Sequence, residues 1–223
     1  MAERCKTSDR GSLGRLAYGL VGALAAWGQF PGASVGQEAE KPPMQEVVLA
    51  KGALRLSLPA AWKKTPPKSQ IIDSEFALPP AEGDAEGGRL TIMAAGGGIE
   101  GNLARWISQF RNPAGGDLPE LPAEQPAAAA GESPKEPAAG KRTWKRKAGA
   151  LDAHLIDLRG TYADRPQGPF GPAVDRDGFR MLGLILPTPQ HGMWFVKLYG
   201  PQKTINAAAA AFEGIADSVQ YQP

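Results

Sequence analysis

Beyond residue 36, two stretches of this sequence carry a helical apolar stripe, and the other apolar segments are of strand length. Leu103, Trp106, Ile107 and Phe110 recur at i, i+3, i+4 and i+7, which predicts a helix over 102–111 with Asn102 as its N-cap. Ile205, Ala208, Phe212, Ile215 and Val219 predict a closing helix over 204–219, entered through Pro201. Strand-period segments run over 54–58, 70–78, 89–94, 142–148, 153–162, 180–187 and 193–199. Arg180–Pro187 is apolar on both faces, as a central strand requires, and Gln190-His191-Gly192 predicts a hairpin turn before Met193. Strand clusters interrupted by one helix and closed by another predict an α+β fold, a twisted antiparallel sheet flanked by helices.

The first 36 residues read as a secretory signal. Arg4, Lys6, Arg10 and Arg15 form a basic start, 16–27 is uncharged and apolar, and Gly32, Ala33, Ser34 and Gly36 supply a small-residue cleavage region. The expected cleavage follows Gly36. The apolar run of about 12 residues is shorter than the roughly 20 of a membrane-spanning helix. Those four basic residues, against Glu3 and Asp9, account for the whole formal charge of +2, so 37–223 is balanced. A balanced chain has no global field to draw it to nucleic acid or an anionic membrane. The one cysteine, Cys5, lies within the signal, so 37–223 is expected to be stabilised by an ordinary apolar core without disulfides.

Residues 37–45 read as a polar tether and 46–220 as a single domain. Within it, 112–140 is rich in Pro, Ala, Gly and Glu and poor in large apolar residues, which predicts a mobile low-complexity insertion.

Chemistry-bearing patterns are sparse. Gly96-Gly-Gly-Ile-Glu-Gly101 matches a dinucleotide-binding spacing, but the region about 20 positions on, where such a site needs a second parallel strand with an acidic residue, is the low-complexity stretch with Asp117 and Glu120 among prolines, so it reads as a strand-to-helix turn. His154 alternates with Ile156 and Leu158 and is expected on an apolar face; His191 is expected in a turn. No Gly-x-Ser-x-Gly elbow is present. Two histidines and no cysteine after residue 36 leave no expected metal site and no expected cofactor. Asp175-Arg-Asp-Gly178 echoes a calcium loop, but Ala173 and Leu184 would occupy two of its ligand positions, which leaves a looser carboxylate site with Asp164 as the alternative form of that reading. The basic run Lys141–Lys147 reads as a charged edge strand that resists edge-to-edge pairing. The long loop 164–180 is the expected binding surface, through Asp164, Arg165, Phe170, Asp175, Arg176 and Arg180.

Several short stretches occur together: Leu58-Pro-Ala-Ala-Trp62, Asn102–Phe110, Gly160-Thr-Tyr162, Gly168-Pro-Phe170, Arg180-Met-Leu-Gly183, Lys197–Pro201 and Ser218-Val219. On these, over about 46–220, the chain resembles the PsbP/Mog-type fold, and in particular uncharacterised secreted bacterial proteins of that type. The resemblance implies an α-β-α sandwich and secretion, and no reaction. Members of the wider fold are binding or assembly factors, one branch serving the photosynthetic oxygen-evolving complex and another binding a small GTPase. The insertion at 112–140 exceeds what that compact fold needs.

The expected function is therefore a secreted, non-enzymatic binding or assembly module, in the periplasm or outside the cell, with an unknown protein partner in the cell envelope and binding no nucleic acid. Two other readings stand beside it: a small-molecule or ion carrier using a pocket under 164–180, and a hydrolase-like enzyme using His154 with nearby acids.

Overall fold

The structure, a computed structural model, describes residues 42–123, 137–166 and 171–223. The expected signal and its cleavage point, Phe170, and 124–136 within the expected insertion lie outside the described residues.

The chain opens with β1 (Met44–Leu49) and β2 (Leu54–Pro59), an antiparallel hairpin. The tether expected through Gln45 thus gives way to a strand at Met44, where Gln45 Nε2 donates to the Pro59 and Trp62 carbonyls (2.9 and 2.6 Å). Next come β3 (Lys63–Thr65), β4 (Ser74–Ala77), β5 (Arg89–Ala95), α1 (Ile99–Ile107) and β6 (Phe110–Arg111). Then follow β7 (Gly140–Ala148), β8 (Leu151–Asp164), β9 (Val174–Thr188), β10 (Gly192–Pro201), α2 (Gln202–Asp217) and β11 (Gln220–Tyr221). The main sheet runs β3-β4-β5-β10-β9-β8-β6, with β7 also on β8; β1, β2 and β11 form a second, three-stranded sheet. The pairings between these strands are antiparallel, as the sequence predicts.

Alternation along the central strands sends side chains to two cores. Leu155, Leu182, Leu184, Leu186, Trp194, Val196 and Leu198 face α2 and the β1-β2 hairpin, whose Leu54, Leu56 and Leu58 close that core. Ile156, Leu158, Met181, Ile185, Phe195 and Tyr199 face α1, which contributes Leu103 and Trp106. One helix on each face is the α+β sandwich expected. Among the described residues no helix is long and apolar enough to cross a membrane.

The sequence misplaces α1. Gly98, with extended backbone (φ −83°, ψ 156°), is the N-cap, and the helix stops at Ile107. Asn102 is a buried residue of the helix rather than its cap: its Nδ2 donates to the Gly98 and Gly96 carbonyls at 2.9 and 3.3 Å. Phe110 leaves the helical stripe and pairs in β6 opposite Tyr162. The Gly96–Gly98 stretch is the strand-to-helix turn expected, and β5 has only antiparallel neighbours, β4 and β10.

The expected insertion is ordered at both described flanks. Leu118 and Leu121 are buried, the Leu121 N–H donates to the Lys141 carbonyl and the Lys141 N–H to the Pro119 carbonyl (both 2.8 Å). Average composition conceals these two leucines, whose burial offsets the ordering cost of their neighbours. β7 lies at the sheet edge as its basic run predicts, with Arg146 reaching Glu213 (2.7 Å) and Asp217 of α2.

Candidate functional site

On the α1 face, the floor of β5 and β10 opens into a cleft of about 740 Å³, walled by 65–78, α1 and the end of β8. Volumes of this order suit small organic ligands. Its floor is set by alternation in β10: Phe195, Lys197 and Tyr199 point to this side while Val196 and Leu198 point into the opposite core.

Lys197 Nζ donates to Gln109 Oε1 (2.8 Å) and to the Tyr162 hydroxyl (3.2 Å), and sits 4.9 and 4.8 Å from the centres of the Tyr162 and Tyr199 rings. Among the described residues it has no carboxylate within ion-pair distance. Burial, then the charges of Arg105 and Arg89, push its ammonium down to about 7, partly opposed by Asp164.

Beside it, Arg89 makes a two-pronged pair with Glu75, Nε to Oε1 and Nη2 to Oε2, both 2.7 Å, and donates Nη1 to the Tyr199 hydroxyl. Burial raises the Glu75 carboxyl, but the Arg89 hydrogen bonds and the Lys68 N–H (3.1 Å) outweigh it and hold the group below its usual range. Burial pushes the Tyr162 and Tyr199 hydroxyls upward, so both stay protonated near neutral pH. Arg105, one helical turn from Asn102, donates only to that side chain's Oδ1 (3.0 Å) among the described residues. The walls thus carry Lys68, Arg89, Arg105, Arg165, Arg176 and Lys197 against Glu75, Glu86 and Asp164, a cationic excess in a domain whose sequence is otherwise balanced.

Of the residues expected to bind, Asp164, Arg165 and Arg176 line this cleft. Arg176 lies 3.7 Å from Asp164 and 3.8 Å from Glu86. Asp175 belongs to β9 and pairs instead with Arg111 of β6. Arg180 is not a loop residue: β8 and β9 extend to Asp164 and from Val174, which shortens the loop. Its side chain is 2% exposed, on the α2 face, bound to Asp157 (2.8 and 3.0 Å) and to Asn206 Oδ1 (2.8 Å). The carboxylates considered for calcium are likewise separated, with Asp177 accepting from Thr161 (2.6 Å) while Asp175 and Asp164 meet different arginines.

His154 is half-buried on the α1 face and makes no side-chain hydrogen bond among the described residues; burial, then Lys145, holds its imidazole below its usual range. His191 sits in the β9-β10 turn against the Tyr221 hydroxyl (3.1 Å).

Sequence reading passed over Lys197, Arg89, Glu75, Arg105, Tyr162 and Tyr199 as site residues. One signal was available: Lys197 is the only charge in Met193–Tyr199, and it falls on the alternation of Phe195 and Tyr199.

No family model matches the chain, and no curated protein matches it in sequence. It is similar to the solution structure of cyanobacterial PsbP from Synechocystis sp. PCC 6803, at 11% identity over 88% of this chain and 99% of that one, TM-score 0.46. It is similar to LpqN of Mycobacterium tuberculosis, a protein involved in cell envelope biogenesis, at 11% identity over 81% and 91%, TM-score 0.45. A protein of unknown function from Pseudomonas aeruginosa, PA94, aligns at 14% identity over 81% and 98%, TM-score 0.39.

Proposed function

We propose that this chain is a non-enzymatic binding module of an exported compartment, and that the cleft over β5 and β10 holds an organic anion. The export half of this reading rests on the signal pattern of the first 36 residues. The binding half rests on one observation: the cleft gathers more cations than acids, and Arg105, on its wall, has only an amide oxygen as partner among the described residues. A guanidinium in that position favours a carboxylate or phosphate, and the aromatic surfaces of Trp106, Tyr162, Phe179 and Tyr199 suit an apolar body attached to it. This favours the carrier form of a binding module. No acid or nucleophile is hydrogen-bonded to His154 among the described residues, so the hydrolase form lacks support there.

Calorimetric titration of the protein with benzoate, short-chain carboxylates and phosphate tests it. Binding of at least one anion, weakened about tenfold or more in Arg105→Gln, is expected for a lost charge-assisted pair. Absence of heat across the panel, or binding unaffected by Arg105→Gln, overturns the assignment of this cleft.

A further inference from the structure

Resting on the cleft just described, we infer that Lys197 captures a carbonyl-bearing carboxylate, a 2-oxo acid, as a reversible imine while Arg105 holds the carboxylate. The first support is hydrogen-bond accounting. A lysine ammonium has three donors to place, a neutral amine two donors and a lone pair. Lys197 donates to two acceptors, Gln109 Oε1 and the Tyr162 hydroxyl, contacts that the two protons of a neutral amine can make while the group lines the cleft. The second is the company it keeps. No carboxylate lies within ion-pair distance among the described residues, and the charges of Arg105 and Arg89 disfavour the protonated form, opposing the attraction of the Tyr162 and Tyr199 ring faces for it. Lysines used in imine chemistry are deprotonated by desolvation or an adjacent cation, and both act here. Burial and those charges bring the group down to about 7.

The third support is a proton donor in place. Tyr162, 3.2 Å from Nζ, keeps its phenolic proton at neutral pH because burial raises it. The step balances without an oxidant or reductant. The Nζ lone pair forms a bond to the carbonyl carbon, and one amine proton passes to the carbonyl oxygen. Tyr162 then donates its proton to the carbinol hydroxyl, which leaves as water while the C=N bond forms. The remaining nitrogen proton restores Tyr162. The sum is amine plus carbonyl giving imine plus water, reversed by hydrolysis. Nothing in this sequence turns over a substrate, so it is a mode of binding.

Pyruvate is the probe. The full chain is incubated with pyruvate near neutral pH, reduced with borohydride to fix any imine as a secondary amine, digested, and mapped by mass spectrometry. The expected result is modification of Lys197 about tenfold or more above exposed lysines of the same molecule such as Lys64 and Lys147. Arg105→Gln lowers the Lys197 yield severalfold with the lysine intact. Modification of Lys197 no greater than that of Lys64 and Lys147 overturns the inference. Propionate, which has the carboxylate but no carbonyl, separates the two readings by calorimetry. Propionate binding without a Lys197 adduct leaves the anion cleft standing and removes the imine. Neither binding nor adduct removes both.

Discussion

Arg180 clasps Asp157 from the adjacent strand through both carboxylate oxygens, Nε to Oδ1 at 3.0 Å and Nη2 to Oδ2 at 2.8 Å, with both side chains 2% exposed. Arg159 reaches the same Oδ2 at 3.1 Å, and Asn206 links the group to α2. The pair ties β8, β9 and the helix together on the face opposite the cleft. Removing one partner of a buried pair costs far more than the pair contributes, because the other charge stays desolvated. Arg180→Leu is expected to lower the unfolding free energy by about 3–5 kcal/mol. Anion binding in the cleft should be unchanged at temperatures where the variant is folded. Urea melts and calorimetry on one sample check both halves; lost binding with full stability would return Arg180 to the site.

Gly183 of β9 lies directly beneath the α1 tryptophan. A methyl group there would sit 2.4 Å from Trp106 Cζ3 and 2.7 Å from Ile156 Cγ2. Gly183→Ala is therefore expected to cost about 1–3 kcal/mol through overpacking. Combined with Trp106→Leu, which opens that space, the losses should sum to less than the two separate values. A double-mutant cycle in urea measures this, and strict additivity would mean the indole does not seat on Gly183.

Lys197 makes stability depend on pH in a defined direction. The folded protein releases this proton near 7, whereas an ordinary lysine holds it to 10.5. Between those values the unfolded chain binds the extra proton, so this group raises stability with pH across that window; below it the folded state bears the whole cost of the buried charge. Lys197→Met should thus compare most favourably with the parent below about pH 7, and the advantage should shrink towards pH 10. Denaturant midpoints of both proteins at several pH values give the comparison. An advantage that is flat or grows with pH would show that Lys197 keeps its proton in the fold.

Asp84 performs at a distance what an N-cap does locally. Its Oδ2 accepts from the Thr204 N–H (2.9 Å) and Oγ1–H (2.6 Å) in the first turn of α2, whose own N-cap, Pro201, makes no side-chain cap hydrogen bond. Asp84→Ala is expected to cost about 1 kcal/mol, the usual value of such a cap. Thermal or urea unfolding reads it; no change would mean water replaces the carboxylate at that helix end.

The sequence by itself determined the elements whose signals are local. Short apolar runs, Arg180–Pro187 apolar on both faces among them, located the central strands, the 3.6 period located α2, and Gln190-His191-Gly192 fixed a hairpin, because each depends on residues a few positions apart. Where local signals competed, it erred: Phe110 completes a helical stripe in sequence, yet its pairing with Tyr162 across the sheet draws it into a strand. The site was less legible still. Asp164, Arg165 and Arg176, singled out because a long loop announces itself, line the cleft, whereas Arg180 looked identical to them until strand pairing turned it into the opposite core. Only the tertiary structure decided the state of Lys197. Its surroundings come from Arg89 on β5, Arg105 on α1, Tyr162 on β8 and Tyr199 on its own strand. Desolvation and charge act through space, and sheet register, more than spacing along the chain, brings those groups together.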